Sequence, residues 1–206
     1  MVSILDLKIG NITSLENSLK YLGVKYKIIK TSKEIYKSRI LIIPGVGSFD
    51  HAMGTIIEKN LSKSIIDHAI LKEKPILGIC IGMQIFFEKS QEGKKKGLGI
   101  LDGKITKLIS CRDFKVPHVG FSPVKINKTK KIFAKIEDNS SFYFTNSYCL
   151  RVNKNMKFDN YCYTKHKYNF YGAVQKKNIL GIQFHPELSH SSGLLILKNF
   201  FEIYQK

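Results

Sequence analysis

The chain has 206 residues, a hydrophobic content of 43% and a formal net charge of +18, from 34 basic and 16 acidic residues. This length predicts one domain, residues 1–206, with a core of its own, and the apolar content excludes intrinsic disorder. No apolar run approaches the roughly 18–20 residues of a membrane span, and the first residues lack a signal-peptide pattern. We therefore expect a cytoplasmic protein with no membrane partner.

The positive charge at first suggests nucleic-acid binding. Almost all of it is lysine, however, because the chain contains only the arginines Arg39, Arg112 and Arg151. Arginine is the residue that makes bidentate contacts with phosphates and bases. The lysines are also spread along the chain instead of forming one stripe. We interpret the charge as a solvated surface and expect no nucleic-acid partner.

The four cysteines are widely separated, at Cys80, Cys111, Cys149 and Cys162. No pair has the C-x-x-C spacing of a zinc site or a thioredoxin-like motif. Disulfides are rare in a cytoplasmic protein. We expect neither a metal site nor a disulfide.

Strand and helix patterns alternate along the first half of the chain. Short apolar runs predict strands at Val2 to Leu5, Lys25 to Ile29, Arg39 to Ile43 and Pro75 to Ile79. Helical spacing of apolar residues predicts helices around residues 12–22, 55–71 and 82–89. Apolar strands separated by helices are typical of a parallel sheet covered on both faces. In such sheets ligands bind beyond the carboxyl ends of the strands.

The second half of the chain has more strand patterns. They fall at residues 104–110, 121–126, 141–145, 170–175 and 179–184, before a final helix over 193–204. The predicted fold class is therefore α/β, with a mainly parallel sheet covered by helices and a strand-rich second half.

The stretch Gly78-Ile79-Cys80-Ile81-Gly82 joins an apolar strand to the next helix. Its G-x-C-x-G spacing matches a nucleophile elbow with cysteine in place of serine. A sharp turn brings backbone close to positions 78 and 82, so both require glycine. Cys80 then lies at a helix N-terminus, whose partial positive charge favours the reactive thiolate. The alternative is an ordinary buried cysteine.

His185 and Glu187 follow a second apolar run, on either side of Pro186. At a strand end His185 can act as the general base that a cysteine nucleophile needs. The Glu187 carboxylate can hold the imidazole in one tautomer and stabilise the imidazolium. A structural histidine is the alternative for a lone His. The conjunction of Cys80, His185 and Glu187 nevertheless predicts a catalytic triad.

A third apolar strand runs into Pro44-Gly45-Val46-Gly47-Ser48-Phe49. Glycines let backbone N–H groups point into a site, as the donors of an oxyanion hole must. The alternative is an ordinary loop, since Pro-Gly marks loops in general.

Together these stretches resemble the class I glutamine amidotransferases, the triad glutaminases. The matching motifs run in order along nearly the whole chain: Ile9-Gly10-Asn11, Pro44 to Phe49, Gly78 to Gln84, Pro117 to Gly120, Phe144 to Tyr148 and Gln183 to Glu187. Within the class, the chain is similar to the family of glutaminase subunits of imidazole glycerol phosphate synthase. The resemblance implies a flavodoxin-like fold and no cofactor.

The resemblance also implies a role for each matching residue. Cys80 would attack the amide carbon of L-glutamine, His185 would transfer protons and Glu187 would orient His185. Oxyanion and substrate contacts would come from Gly45, Val46, Gly47, Ile81 and Gln84, and interface or coupling positions would be Asn11, Pro117, His118, Asn146, Ser147 and Tyr148. For His118 and Tyr148 an ordinary structural role is the alternative.

The implied partner is a (β/α)8-barrel cyclase or synthase subunit, joined to this chain as a heterodimer. In the family, ammonia passes to that subunit through a tunnel. Free ammonia becomes protonated in water and loses its nucleophilicity, so a sealed interface has a chemical purpose. A chain of 206 residues accommodates a glutaminase but not the synthase as well, so we expect the second activity on another chain.

Six positions depart from the usual pattern of the histidine-pathway subunit. Leu7 and Lys8 replace Tyr-Gly, Phe121 and Ser122 replace Trp-Asn, Asn146 replaces His, and Leu188 replaces Lys. These departures leave two ammonia acceptors open, one in histidine biosynthesis and the other a bacterial surface sugar amidated with the help of a paralogous glutaminase. An inactive binding module on the same fold is a third interpretation.

Overall fold

The computed structural model of the chain describes residues 1–10, 12–127 and 131–205. The strands in these ranges are β1 (Val2–Leu5), β2 (Tyr26–Ile29), β3 (Ile40–Ile43), β4 (Ile76–Ile79), β5 (Lys89–Ser90), β6 (Lys104–Lys107), β7 (His118–Pro123), β8 (Lys125–Ile126), β9 (Ser141–Asn146), β10 (Tyr148–Cys149), β11 (Asn160–Lys165), β12 (Asn169–Lys176) and β13 (Ile179–Ile182). The α-helices are α1 (Thr13–Tyr21), α2 (Ser32–Lys37), α3 (Phe49–Glu58), α4 (Ser62–Ile66), α5 (Ile81–Gln84) and α6 (His190–Tyr204). A π-helical turn at Asp67–Leu71 follows α4, and 3-10 turns lie at Lys131–Phe133 and Pro186–Leu188.

An eight-stranded sheet forms the centre of the structure, in the order β2-β1-β3-β4-β13-β12-β11-β8. The neighbours from β2 to β13 are parallel, and β12, β11 and β8 extend the sheet antiparallel. Strands β1, β3, β4 and β13 are buried at every residue, as expected of strands covered on both faces. The predicted α/β fold with a mainly parallel sheet is confirmed.

Three neighbouring strands of this sheet, β3, β4 and β13, run in the same direction. Their register pairs Ile43 with Gly78 and Ile79 with Ile182. The segments that follow these strands therefore leave the sheet at one edge. These segments contain the glycine loop after β3, Cys80 and His185.

Two smaller sheets complete the strand-rich second half. Strands β7 and β9 form an antiparallel pair, and β10, β6 and β5 form a three-stranded sheet. Aromatic rings join β9 to the end of β13: Phe184 stacks on Phe142 with ring centroids 4.1 Å apart and meets Phe144 edge-on at 5.6 Å. This packing brings the end of β9 to the edge of the central sheet where Cys80 lies.

The prediction of one amphipathic helix around residues 55–71 is wrong. Helix α3 begins earlier, at Phe49, and ends at Glu58. Asn60 then adopts a positive φ of 53°, and the N–H of Leu61 donates to the carbonyl of Ile56 at 2.9 Å. This is the hydrogen-bond pattern of a left-handed helix cap, for which asparagine is suited. A second helix, α4, starts after the cap.

The predicted helix at residues 82–89 is also too long, because α5 contains only Ile81–Gln84. Backbone N–H groups of a later segment take the carbonyls that would continue it: Leu98 donates to Ile85, Leu101 to Phe86 and Gly97 to Glu88. The sequence patterns also missed α2 and β11. Helix α2 begins with a capping box of Thr31 and Glu34, a signal that is readable from sequence.

Within the described ranges, no helix combines the length and apolar character needed to span a membrane.

Candidate active site

The turn between β4 and α5 has the geometry of a nucleophile elbow. Cys80 stands between the two elements with φ 53° and ψ −107°, a backbone conformation that side chains rarely adopt. A Cβ at Gly78 would run into the carbonyl of Gly82, and a Cβ at Gly82 would run into the carbonyl of Ile43. The steric requirement for glycine at both positions is therefore confirmed.

His185 and Glu187 form a short, buried hydrogen bond beside this elbow. Nδ1 of His185 and Oε1 of Glu187 are 2.7 Å apart, and the two side chains are 2% and 9% exposed. The loop is fixed by backbone as well, since the N–H of His185 donates to the carbonyl of Tyr143 at 2.8 Å. Nε2 of His185 is buried and has no hydrogen-bond partner among the described residues. Because Glu187 bonds to Nδ1, Nε2 is the ring nitrogen that can interact with Cys80.

The surroundings of His185 favour its charged form. Burial alone lowers the pKa of a histidine, but hydrogen bonding and charge from Cys80 and Glu187 outweigh burial and raise the pKa of His185 to about 10. The imidazole is therefore protonated at neutral pH. A protonated His185 can give a proton to a leaving group and stabilise a neighbouring thiolate.

The glycine loop after β3 packs on both the N-terminal segment and the elbow. A Cβ at Gly10 would lie 2.7 Å from the backbone nitrogen of Val46, so the loop approaches Gly10 closely. Gly45 is buried, whereas Val46 is 47% exposed. Gly47 has φ 142°, in the range that favours glycine.

One predicted oxyanion donor is occupied in this conformation. The N–H of Ile81 donates to the carbonyl of Gly45 at 3.3 Å. In this conformation the N–H of Ile81 is therefore not free to meet an oxyanion, and its oxyanion role stays a prediction. The reason is the orientation of the Gly45 peptide, whose carbonyl points at α5.

A cavity of about 210 Å³ lies over Cys80. It brings together most of the residues predicted for the site: Val46, Gly47, Cys80, Ile81, Gln84, Pro117, Asn146, Ser147 and Tyr148. Thr145 and Glu92 also line it. Gly45, His118, His185 and Glu187 are not part of the lining, and Asn11 lies outside the described residues.

His118 faces a different, larger cavity of about 550 Å³. Its Nε2 lies 3.1 Å from the hydroxyl of Ser122, and its ring meets Phe144 edge-on. Burial, with a smaller contribution from His166, lowers the pKa of His118. These contacts favour the alternative interpretation, in which His118 has an ordinary structural role.

Besides Thr145, two polar residues at the site were not among the predicted positions. Glu92 lines the cavity, and its Oε2 accepts the N–H of Phe49 at 2.9 Å. Burial raises the pKa of the Glu92 carboxyl, Phe49 opposes this effect and Asp50 adds to it. Gln183 is fully buried and donates from Nε2 to the Cys80 sulfur at 3.7 Å. No spacing pattern in the sequence could have identified Glu92. Gln183 could have been identified, because it is the first residue of the Gln-Phe-His-Pro-Glu motif.

Gln84 is held between two acceptors. Its Nε2 donates to the carbonyl of Tyr148 at 3.1 Å and to Oε1 of Gln183 at 3.0 Å. Its Oε1 is buried and has no partner among the described residues. Asn146 makes a similar bond from Nδ2 to the carbonyl of Tyr148 at 3.0 Å, so it supports the cavity wall.

Two other departures from the family pattern, Phe121 and Leu188, lie on the surface near the site. Phe121 is half exposed and stacks on His190, with ring centroids 5.2 Å apart. Leu188 and Val119 are also exposed. No three His, Cys, Asp or Glu side chains in the described part of the chain are grouped as metal ligands.

Comparison with known proteins shows the family to which the chain belongs. The family model "Glutamine amidotransferase class-I" matches residues 3–203. The chain belongs to the class I glutamine amidotransferase family. The resemblance inferred from the motifs is therefore confirmed.

Relatives within this glutamine amidotransferase family cover nearly the whole chain. The imidazole glycerol phosphate synthase subunit HisH of Caldanaerobacter subterraneus is 41% identical over 204 residues, covering 98% of each chain. The protein of that name from Leptospira borgpetersenii is 38% identical over 203 residues, covering 97% of this chain and 98% of its own. These names favour the histidine-pathway interpretation over the surface-sugar alternative. Membership of an enzyme family also disfavours the inactive binding module.

Solved structures show the same fold at low sequence identity. A structure described as a glutamine amidotransferase has a TM-score of 0.74 at 15% identity and covers 100% of this chain and 99% of its own. PurLQS from Thermotoga maritima has a TM-score of 0.76 at 16% identity, with 100% and 98% coverage. These likenesses support the flavodoxin-like, class I amidotransferase fold.

Proposed function

We propose that this chain hydrolyses L-glutamine to glutamate and ammonia through Cys80, His185 and Glu187, as one glutamine amidotransferase domain. One observation supports this most strongly. A buried histidine, bonded to a buried carboxylate, lies beside the cysteine of a nucleophile elbow. Parallel neighbouring strands, β4 and β13, position the cysteine and the histidine.

The reaction proceeds through a thioester. The Cys80 thiolate attacks the amide carbon, and the carbonyl oxygen becomes an oxyanion. His185 gives its proton to the departing nitrogen, the C–N bond breaks and ammonia leaves. His185 then takes a proton from water, which attacks the thioester carbon, and the C–S bond breaks to release glutamate and restore the thiolate.

The oxyanion requires donors from the glycine loop and the elbow. Backbone N–H groups at Val46 and Gly47, with that of Ile81, are in reach of the cavity above Cys80. The N–H of Ile81 can donate to the oxyanion only after its hydrogen bond to the Gly45 carbonyl is broken. The site therefore needs a rearrangement of the Gly45 peptide before it reaches full activity. We therefore expect the isolated subunit to be a poor glutaminase until its synthase binds.

The cavity offers complementary groups to the two ends of glutamine. Glu92 supplies a carboxylate for the α-ammonium group, and the unpartnered Oε1 of Gln84 accepts a hydrogen bond from the substrate. Both groups are buried or half-buried, which strengthens these contacts relative to water. Ser147 and Tyr148 contribute the neighbouring wall.

The ammonia passes to a (β/α)8-barrel synthase subunit that forms imidazole glycerol phosphate in histidine biosynthesis, in a cytoplasmic heterodimer. The names of the relatives support this partner. Exposed apolar side chains near the site, Val119, Phe121 and Leu188, supply docking area. The lysine-rich surface would steer an acidic partner face.

The test compares Cys80→Ala with Cys111→Ala in the complex with the barrel partner. Cys111 is half-buried and outside the cavity, so it controls for the loss of a thiol. We expect Cys80→Ala to release no glutamate while synthesis from added ammonium salts continues, and Cys111→Ala to match the wild type. Glutamine turnover by Cys80→Ala would overturn the assignment of the nucleophile.

A further inference from the structure

Gln183 lies one residue beyond β13 and two residues before His185. Its side chain is fully buried, and its Nε2 is 3.7 Å from the Cys80 sulfur. Its backbone N–H donates to the carbonyl of Gly172 at 2.8 Å, so the residue is anchored to the central sheet. A buried amide beside a reactive sulfur requires a chemical explanation.

The hydrogen bonds of Gln84 determine which way the Gln183 amide points. The amide nitrogen of Gln84 has two N–H groups, and it meets the carbonyl of Tyr148 and Oε1 of Gln183. Tyr148 offers a backbone carbonyl there, so Gln84 must present its nitrogen and not its oxygen. If the Gln183 amide were flipped, two NH2 groups would face each other. Oε1 of Gln183 therefore faces Gln84, and its Nε2 faces Cys80.

We propose that Gln183 is a further catalytic residue, whose side-chain N–H donates to the Cys80 sulfur and stabilises its thiolate. This inference rests on the proposed function and adds a second group that acts on the nucleophile. A hydrogen bond to a charged acceptor is stronger than one to a neutral acceptor. Gln183 consequently favours the thiolate over the thiol, from a direction that His185 does not occupy.

Gln183 also has a second effect, on Gln84. By accepting one N–H of Gln84, it keeps the Oε1 of Gln84 free of partners and buried at the cavity. The relay from Tyr148 through Gln84 and Gln183 to Cys80 therefore links the substrate contact to the nucleophile. Loss of Gln183 is expected to affect both substrate binding and the thiolate.

The test measures the rate at which iodoacetamide alkylates Cys80 in the full chain as a function of pH. Peptide mapping separates Cys80 from the other cysteines, and half-buried Cys111 gives an internal reference. Only the thiolate reacts, so the midpoint of the pH profile reports how strongly its surroundings favour the charge.

Gln183→Met keeps the size of the side chain and removes its donor. We expect the midpoint to rise by about one pH unit, which makes alkylation roughly tenfold slower below the midpoint. Gln183→Glu still accepts from Gln84 but places an oxygen toward the sulfur, so its midpoint should rise further. If Gln183 only supported the fold, its substitution would lower the melting temperature, but the alkylation midpoint would not rise from the wild type to Gln183→Met and further to Gln183→Glu.

The matched control is Gln175→Met on β12. Gln175 is a buried glutamine of the same sheet, bonded to Asn160 and Tyr204 and remote from Cys80. We expect this variant to keep the wild-type midpoint. If the Gln183 variants do not fold, Gln84→Met removes the donor that orients Gln183, and its midpoint should rise by a smaller amount.

The outcomes separate this inference from the proposed function. The absence of glutamine hydrolysis by the wild-type complex would overturn the proposed function. Glutamine hydrolysis by the wild-type complex, together with a midpoint that Gln183→Met leaves unchanged, would overturn the role of Gln183 alone. If neither Gln183 variant folds, an unchanged alkylation midpoint in Gln84→Met would also overturn the role of Gln183.

Discussion

The nucleophile side of the site and the glycine loop opposite it are built in different ways. Cys80, Gln183 and His185 are buried, and backbone bonds to neighbouring strands hold each of them. The loop after β3 has an exposed Val46, and its Gly45 carbonyl takes up the N–H of Ile81. The chemically reactive groups are thus already assembled, whereas one proposed oxyanion donor, the N–H of Ile81, is bonded elsewhere.

This difference indicates where the activity can be controlled. Moving a triad residue would disrupt the centre of an eight-stranded sheet, but turning the Gly45 peptide exchanges one hydrogen bond of 3.3 Å. A typical protein hydrogen bond contributes about 0.5–1.5 kcal/mol. A docking partner can therefore supply the energy to open the oxyanion site without altering the triad.

The largest effect that we predict concerns the nucleophile side of the site, at Gly82 of the elbow. Gly82→Ala places a Cβ against the carbonyl of Ile43, which is backbone and cannot turn aside. We expect a loss of at least about 1–3 kcal/mol in the free energy of unfolding and no glutaminase activity. Chemical denaturation and glutamate release measure the two effects.

Gly54→Ala in α3 is the control for that variant. The added Cβ would lie 3.4 Å from the end of the Lys95 side chain, which can move. A helical glycine replaced by alanine should raise the free energy of unfolding by about 0.5–1 kcal/mol. Equal stability of the two variants would contradict the picture of a sterically fixed elbow.

The second effect concerns the orientation of His185. Glu187→Gln keeps the shape of the side chain but removes its charge, so the imidazolium loses its stabiliser and the amide no longer fixes which ring nitrogen carries the proton. We expect kcat to fall by about 10²–10⁴-fold with little change in KM, by analogy with other triads. Steady-state glutamate release by the complex measures this change.

The same variant makes a prediction about stability and pH. The pKa of His185 is raised from 6.5 to about 10 in the folded chain, partly by Glu187. A raised histidine pKa stabilises the fold below the unfolded pKa, and this contribution disappears as pH rises through the folded pKa. The melting temperature of the wild type should thus exceed that of Glu187→Gln most near pH 6.5. A difference that widens toward pH 10 would refute the charged pair.

Glu92→Gln tests the substrate contact at the boundary between the two regions. It removes the carboxylate proposed to bind the α-ammonium group of glutamine but leaves the acceptor for the Phe49 N–H. We expect KM for glutamine to rise by about 10–100-fold, as for loss of one charged hydrogen bond, with a smaller change in kcat. Glu88→Gln, an exposed position nearby, should be neutral. Unchanged KM in Glu92→Gln would remove this residue from the binding site.

The smallest effect concerns the exposed surface. Phe121→Ser removes an aromatic ring that stacks on His190 at the surface. We expect the dissociation constant for the barrel partner to rise by about 5–30-fold, the effect of roughly 1–2 kcal/mol, while Cys80 alkylation stays unchanged. Calorimetric titration measures the affinity. A change in alkylation without a change in affinity would place Phe121 in the site and not at the interface.

The sequence was most informative where a single local rule applies. The G-x-C-x-G spacing predicted the elbow because a Cβ at Gly78 meets the Gly82 backbone within the same turn, although the clash at Gly82 is with Ile43 on the neighbouring strand β3. The apolar runs predicted the parallel strands because burial on both faces requires continuous apolar residues. Helix ends were less predictable, since Asn60 ends α3 by a left-handed conformation and the segment after Gly97 stops α5 through long-range bonds.

The site beyond the triad depends on contacts that sequence patterns do not contain. Glu92 reaches the cavity from the segment after β5, which has no spacing relationship to Cys80. The state of the Ile81 N–H depends on the rotation of one peptide in a loop 36 residues earlier. Gln183 was visible within a motif, but its contact with sulfur required the packed sheet.

The most direct test of the central claim is detection of a γ-glutamyl thioester on Cys80. The complex is mixed with glutamine and quenched in acid within the turnover time. After digestion, mass spectrometry measures the mass of the peptide that contains Cys80. The account predicts a glutamyl adduct on Cys80 that decays as glutamate appears, and no adduct on Cys111. Rapid glutamine turnover with an adduct on another residue would contradict Cys80 as the nucleophile.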